Sequence, residues 1–487
     1  MMTHAWFRAL RLLPLALILA SCHLMLPISQ DESAQETCGN GALDPEETCD
    51  PGTAGPVDGC DTACRTIDGW SCDGAPSTCT PICGDGRILG EEDCEGDPGE
   101  ATCESTGQGT GTLTCSAQCR YDFSQCLAFD HITCGADHVC AVMSSGAVFC
   151  WGGNGSGQLG DGTTSERLFP VAIESLSRVT AIQAGDELTC AVSDMAREDE
   201  NLVYCWGTNS AGGLGVGDEG LPQSNVPVSL PWFEALAPDQ ARGLGGMGGH
   251  LCAAVSDGTL ACWGNNAAGQ IGDGQAGTDV FAPAPVSGAE DIVSVCGGVD
   301  HSCALTGSGT VTCWGGNSAG QLGDGTTEDR AGPVAVEGRF ESLSAGDSFT
   351  CGVTQEQGVK CWGRNVDGQL GIGSTQNQTV PVEVVLPSPA VRVSCGLAHA
   401  CALLSTGEIA CWGRNWDGQL GDGTYDPRNA PVLIPGLMDA TGVGAGHAHT
   451  CATGISGVVL CWGDNSSGQL GDGTHKPGTP TPQPVVF

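Results

Sequence analysis

Cys150-Trp151-Gly152-Gly153-Asn154-Gly155-Ser156-Gly157-Gln158-Leu159-Gly160 decides the fold, because it returns with variations from Cys205, Cys262, Cys313, Cys361, Cys411 and Cys461. The successive spacings are 55, 57, 51, 48, 50 and 50 residues. A unit of that length accommodates four short strands but is too small for a separate domain, so the chain is a tandem array whose units bury their apolar faces against one another. The order within each unit is constant. An extended segment such as Val179 to Ala184 leads into Ala-Gly, and a strand ending in Cys-Ala-Val or Cys-Ala-Leu follows. A turn, a strand ending in Cys-Trp-Gly, a Gly-Gln-Leu-Gly-Asp-Gly-Thr loop and a Pro-Val strand complete it.

In the hairpin from Cys401 to Cys411 the two cysteines are symmetric about Thr406. Antiparallel pairing then sets them opposite each other, close enough to bridge. The same offset joins Cys140 to Cys150, Cys252 to Cys262, Cys303 to Cys313, Cys351 to Cys361 and Cys451 to Cys461. Cys190 and Cys205 lie further apart, in a longer hairpin that carries Arg197-Glu198-Asp199-Glu200. Seven staples are expected, each contributing roughly 2.5 to 3 kcal/mol in the loop-entropy view. Cys134, Cys296 and Cys395 are left over. They precede Gly where other units have Ala184, Ala345 or Ala445, and read as small buried thiols.

Composition agrees with a turn-dense β chain: 77 of 487 residues are Gly and only 5% are aromatic. Seventeen basic against 57 acidic residues give a formal charge of −40. Nucleic acid is excluded as a partner on that balance, since phosphates are held by Lys and Arg. Solubility and self-repulsion account for the charge. Thirty cysteines point to a compartment where disulfides persist.

The N-terminus supports such a compartment. Arg8 and Arg11 precede an apolar run from Leu12 to Ala20, too short to span a membrane as a mature helix. Leu19-Ala20-Ser21-Cys22 resembles the lipobox of bacterial lipoproteins. The resemblance implies a signal peptide over 1–21, lipidation of Cys22 and a tether over 22–37. His23 stands where an inner-membrane retention Asp would be, which favours the outer membrane, facing the periplasm or the surface. Acyl chains at about 0.8 kcal/mol per CH₂ make a durable anchor, and the lipid is the only membrane contact expected.

Residues 38–126 form a disulfide-rich module in two parts. The first holds Cys38, Cys49, Cys60, Cys64, Cys72 and Cys79; the second holds Cys83, Cys94, Cys103, Cys115, Cys119 and Cys126. Six bridges could use all twelve, with connectivity open. CGNGALDPEETCD from Cys38 and CGDGRILGEEDCEGD from Cys83 resemble the cysteine-rich repeat of myxobacterial surface proteins, itself reminiscent of Notch-type repeats. That resemblance raises calcium as a ligand, with Asp44, Glu46, Glu47, Asp50, Asp58 and Asp61 as oxygen donors. The six do not follow the EF-hand order, and solvated acidic loops are the plainer reading. Secreted Cys-x-x-x-Cys pairs such as Cys60 with Cys64 favour oxidation over zinc.

The tandem units resemble the regulator of chromosome condensation (RCC) repeat family. The resemblance implies an all-β fold, a seven-bladed propeller over 127–487, in which Cys150 and Trp151 point to opposite faces of a strand and are both covered by neighbouring blades. It also implies that the last unit, ending in Pro484-Val485-Val486-Phe487, borrows Phe129 to Cys134 to complete one blade from both chain ends, removing the open edges. Family members exchange nucleotide on a small GTPase, bind chromatin or inhibit β-lactamases. The signal sequence speaks against the nuclear roles, and fold alone transfers none.

His138, His250, His301, His399 and His449 occupy equivalent positions, with Leu188 and Phe349 in the other two units. Equivalents in different blades are too widely spaced to share one ion, so packed, hydrogen-bonded core histidines are expected. The Asp of Asp-Gly-Thr, at 161, 273, 324, 422 and 472, fits an Asx-turn. Gly-x-Gly-x-x-Gly occurs from Gly155 and from Gly243 without a βαβ setting, no Gly-x-Ser-x-Gly nucleophile elbow is assigned, and His-Glu-x-x-His does not occur. No catalytic residue, cofactor or metal is therefore assigned. Function is sought in what does not repeat. Trp416 replaces Gly155, Ser210, Ala267, Ser318, Val366 and Ser466 of the other copies, and an outward Trp is a binding anchor. Arg414 and Arg364 form a local basic pair near it, and an insertion around Pro231-Trp232-Phe233 offers a second patch. The expectation is a monomeric, non-catalytic scaffold for a protein or glycan. The alternatives are a structural surface protein without a single ligand and, less favoured, an envelope enzyme using the propeller cup.

Overall fold

Alternation of apolar residues within strands of three to nine residues, punctuated by glycine turns, yields one four-stranded antiparallel sheet per repeat. The structure, a computed structural model, describes residue 43, parts of 47–127, and 129–487 apart from 197–199, 231–242, 247, 255–258 and 455–456. Cys22 and its signal, Asp44, Glu46, Asp58, Trp232 and Phe233 lie outside the described residues. All described regular elements are strands. Chain contacts divide the molecule into two compact units, one of residues 1–99 and 115–121, the other of 100–114 and 122–487.

Seven four-stranded sheets form the blades of a β-propeller. The first is Phe129–Cys134, His138–Met143, Val148–Gly152 and Arg167–Ala172; the sixth is Ala390–Cys395, His399–Leu404, Ile409–Gly413 and Arg428–Leu433; the seventh is Ala440–Ala445, His449–Gly454, Val459–Gly463 and Thr479–Pro484. The first strand of each blade lines a central shaft of about 400 Å³.

Each blade is thus built from one contiguous segment, which corrects the expectation of a blade shared between the chain ends. Phased from the inner strand, all seven repeats are complete, and Phe129–Cys134 is the inner strand of the first. Closure is made by side-by-side packing of the seventh blade on the first. Phe487 stacks on Phe129, with ring centroids 4.7 Å apart, and meets Phe149 and Trp151 edge-on. Trp151 Nε1 donates to Gln469 O at 3.0 Å.

The core lies between blades. Cys401 and Cys411 of the sixth blade face Trp462 of the seventh, Cys451 and Cys461 face Trp151 of the first, and the other interfaces repeat the pattern. All seven of these Trp residues are fully buried. Each cysteine pair sits directly across the second and third strands and is bridged, from Cys140–Cys150 and Cys190–Cys205 to Cys451–Cys461. Outer strands would offer unpaired edges to other chains. Each carries a proline, among them Pro170, Pro227, Pro333, Pro381 and Pro431, and a shift of register against its neighbour, which blunts that edge.

In the smaller unit Cys49 bonds Cys60, Cys72 bonds Cys79, Cys83 bonds Cys119 and Cys94 bonds Cys115. Neither Cys-x-x-x-Cys segment closes on itself: Cys60 and Cys115 each bond a cysteine upstream of their segment. Cys64 and Cys119, the last cysteine of each segment, have left-handed backbone conformation, with φ of 57° and 51°.

Candidate binding face

The loop after each Trp-Gly is a rigid platform. Asn415 is fully buried; its Oδ1 accepts from Leu420 N at 3.0 Å, and its Nδ2 donates to the carbonyls of Thr424 and Asp426. Asp422 closes the following turn, accepting from Thr424 N at 2.9 Å, the Asx-turn bond, and pairing with Arg428 at 2.7 Å. Burial pushes the Asp422 carboxyl up, but the Thr424 and Arg428 hydrogen bonds outweigh it and hold the group below its ordinary value. Asp161 with Arg167 and Asp324 with Arg330 repeat the device.

The same loop ties blade to blade. Gln419 O accepts from Trp462 Nε1 and from Thr450 Oγ1, both at 2.9 Å and both in the next blade. Thr450 Oγ1 in turn lies 2.8 Å from His399 Nε2. With the hydroxyl proton committed to Gln419 O, the imidazole must donate from Nε2. His138 with Thr189, His250 with Ser302 and His301 with Thr350 form equivalent pairs at 2.8 to 2.9 Å. Where the histidine is replaced, its neighbour is apolar too: Leu188 packs with Leu251, and Phe349 with Ala400. His449 is the exception. The equivalent residue of the first blade is Val139, and neither ring nitrogen of the buried His449 has a partner. Burial drives His138, His301 and His399 down to about 3 and His449 to about 4, so all four are neutral at pH 7. The hydroxyl residues escaped sequence reasoning, although their signal was present: they follow the histidine position one repeat later.

The shaft is lined by the hydroxyls of Thr133, Ser344 and Ser394 and by Cys134, Cys296 and Cys395, all three unbridged and buried. Burial raises their thiols, that of Cys395 to about 12, so thiolate chemistry is suppressed.

Trp416 is 62% exposed on the loop of the sixth blade, with the Arg414 guanidinium 4.6 Å from its ring centroid. Arg414 also reaches the neighbouring blade and pairs with Asp367 at 3.1 Å. Arg364 pairs with Asp347 at 3.3 Å. The two arginines are therefore neutralised locally, and the basic pair inferred from sequence is not a free positive patch. Carboxylates dominate this face. Asp417 is raised by burial and by Asp464; Asp137 by burial and by Asp464, Glu187 and Asp186. His447 bonds Asp186 at 2.8 Å, and the carboxylate raises its imidazole despite burial.

For calcium, Asp61 spends one oxygen on its own turn, accepting from Ala63 N and Arg65 N at 2.9 Å. Among the described residues the one grouping of metal-compatible side chains is Glu92, Glu95 and Cys119, and Cys119 is bridged to Cys83. Glu47 and Asp50, the other described candidates, do not join it.

Comparison with known proteins fits this geometry. Residues 196–487, more than half of the chain, match the RCC1-like domain, and residues 129–158 and 145–192 match the RCC1 repeat. The human "Probable E3 ubiquitin-protein ligase HERC6" is 35% identical over 218 residues, 43% of this chain and 20% of that protein. The ultraviolet-B receptor UVR8 of Arabidopsis thaliana is 34% identical over 211 residues, 42% of this chain and 46% of the receptor. The chain thus spans less than half the length of either relative. Among solved structures, Prp20p of Saccharomyces cerevisiae superposes with a TM-score of 0.61 at 21% identity, covering 74% of this chain and 88% of Prp20p. Human WBSCR16 gives 0.61 at 22% identity over 70% and 95% of the two chains. At such identities the likeness is one of fold. The match over 196–487, with seven blades joined through repeated Trp–Gln contacts, shows that the chain belongs to the RCC1-like family.

Proposed function

We propose that this protein is a lipid-anchored binding scaffold of a bacterial cell envelope: a signal peptide over 1–21, a lipidated Cys22 on a tether to residue 37, a disulfide-rich stalk over 38–126, and a propeller whose loop face docks a protein or glycan. The observation that carries the binding reading is Trp416, a large apolar side chain 62% exposed at the one loop position where other blades have Gly, Ala, Ser or Val. Its exposure has no structural return, because the seven blade-packing tryptophans are different residues. Relatives support a binding or regulatory role by name, UVR8 as a receptor and Prp20p for its binding to Gsp1p and histones. The bridges in every blade support an oxidising compartment.

Tagged full-length protein and its Trp416→Ala variant, passed against envelope and secreted fractions, test the reading. One species retained by the first and lost by the second supports a docking face. An identical mixture on both overturns it. Incorporation of labelled palmitate that is lost in Cys22→Ala tests the anchor.

A further inference from the structure

The inner strands carry polar side chains into the central shaft. Thr133, Ser344 and Ser394 stand opposite Cys140, Cys351 and Cys401 of their own blades, so the three occupy one tier. Each accepts a backbone amide of the next blade: Thr133 Oγ1 from Ala184 N at 3.1 Å, Ser344 Oγ from Cys395 N at 2.9 Å and Ser394 Oγ from Ala445 N at 3.0 Å. That fixes each hydroxyl oxygen and leaves its proton without a protein acceptor. Two residues earlier on the same strands, and so on the same face, come His131, Ser342 and Arg392. All six residues line the shaft. His131 and Arg392 are exposed and the hydroxyl tier is half-buried, which puts the basic pair nearer the mouth.

The charge of this cavity is opposite to that of the protein. Against 57 acidic and 17 basic residues in the chain, no carboxylate is found among the described residues that line the shaft. Its thiols stay protonated, since burial raises all three. Elsewhere in the propeller Arg167, Arg330, Arg364, Arg414 and Arg428 each pair with an Asp, whereas among the described residues Arg392 pairs with none. Burial and then Arg392 hold the His131 imidazole below its ordinary value, against the pull of Asp130. These two side chains come from the first and sixth blades. The seventh blade, between them, has Gly442 and Gly444 at the matching positions and adds no side chain.

A cation entering the shaft would meet Arg392 with no carboxylate to offset it, and a neutral molecule would gain nothing from the charge. An oxyanion accepts two N–H groups from the guanidinium fork and hydroxyl protons from the tier behind it. A volume of about 400 Å³ limits it to a small molecule.

We infer that the central shaft is a binding site for a small oxyanion, a phosphate or a carboxylate, held by Arg392 at the mouth and by the hydroxyls of Thr133, Ser344 and Ser394 within. Trp416 and the blade loops do not line the shaft, so the site goes beyond the proposed docking face and does not depend on it.

The test titrates full-length protein in detergent, isotope-labelled at histidine Cε1, with inorganic phosphate, with glutarate and with choline at constant ionic strength, followed by calorimetry and NMR. Phosphate or glutarate should bind at a single site, and the one that binds identifies the class of anion; choline should not bind. The His131 resonance, assigned with His131→Gln, should titrate at higher pH in the bound protein, because the anion offsets Arg392. Arg392→Gln should weaken binding at least tenfold. Arg339→Gln removes the same charge from an exposed arginine outside the shaft and should leave binding unchanged. Neither anion bound, equal binding by Arg392→Gln, or equal loss in Arg339→Gln overturns the inference. A bound anion to which the His131 resonance does not respond sits elsewhere and overturns it as well.

Discussion

Lowering the pH from 7.5 to 5.0 should destabilise the propeller steeply, because histidines between its blades must stay neutral. A base whose pKa falls on folding binds protons more readily in the unfolded chain, so stability is complete above the unfolded value of about 6.5 and is lost as pH falls toward the folded value. His138, His301 and His399 lie at about 3 and His449 at about 4 in the fold. Each forfeits about 1.4 kcal/mol per pH unit below 6.5, hence about 2 kcal/mol at pH 5.0 and roughly 8 kcal/mol for the four. Asp137, Asp300 and Asp417, raised on folding, and His447, raised by Asp186, act in the opposite direction but are only partly buried and partly screened. The depressed Asp161, Asp324 and Asp422 add acid sensitivity only at lower pH, near their ordinary carboxylate range. Denaturant unfolding with disulfides intact at the two pH values measures the sum. The decisive comparison is His399→Phe with Thr450→Ala, which copies the Phe349–Ala400 pair already present between the fifth and sixth blades. Whatever its absolute stability, the double variant should lose about 2 kcal/mol of the pH dependence. An unchanged pH dependence would refute the assignment of the proton linkage to these rings.

The paired substitution Cys351→Ala with Cys361→Ala should cost roughly 2.5–3 kcal/mol in denaturant unfolding, the loop-entropy value for a hairpin of this length, plus a small cavity cost. Gly421→Ala should be more damaging than a surface Gly→Ala change, because Gly421 has φ 70° and an added Cβ would stand 2.7 Å from Trp462 Nε1; a melting temperature like that of Gly423→Ala, where nothing lies nearby, would contradict this. Cys134, Cys296 and Cys395 should resist iodoacetamide in the native protein at pH 8 and alkylate in guanidinium, as read by peptide mass spectrometry; native labelling would show that the shaft opens. Phe487→Ala should loosen the joint between the seventh and first blades, seen as faster amide exchange in Phe129–Cys134 than in the inner strands of other blades.

What could be read in the sequence followed from local spacing. The offset between cysteines fixes a hairpin, and a hairpin fixes which residues are opposite, so the blade staples and the buried Trp position need no knowledge of the ring. The phase of the repeat is different. A periodic sequence looks the same from any starting point, and only the pairing of Phe129–Cys134 with His138–Met143 reveals that the first blade is complete without the C-terminus. Partnerships between blades were hidden for a related reason. Thr450 is unremarkable until aligned one repeat behind His399, and Gln369 and Gln419 match the other glutamines in sequence while differing in the fate of their Nε2 atoms. In the cysteine-rich unit spacing leaves the connectivity open, and Cys60 and Cys115 bond Cys49 and Cys94 rather than the cysteine four residues on.

Repetition also constrains where function can reside. Each Cys-Trp-Gly-x-Asn-x-x-Gly-Gln-Leu-Gly segment commits its cysteine to a bridge, its Trp to the preceding blade, its Asn to the loop backbone and, through the Gln carbonyl or its Gly213 counterpart, a contact to the next blade. Substitution at any of these disturbs two blades at once. Freedom is greatest at the residue after Asn, whereas the residue after Trp-Gly is tied to its surroundings: Arg414 reaches Asp367 of the fifth blade, and Asn265 and Asp464 accept from their own loop glutamines. In the sixth blade these are Arg414 and Trp416, and Arg414 costs Gln419 the acceptor that Asp464 supplies in the seventh. Trp416 thus departs from the repeat at a position that blade packing leaves free, where the proposed docking face can vary without disturbing two blades.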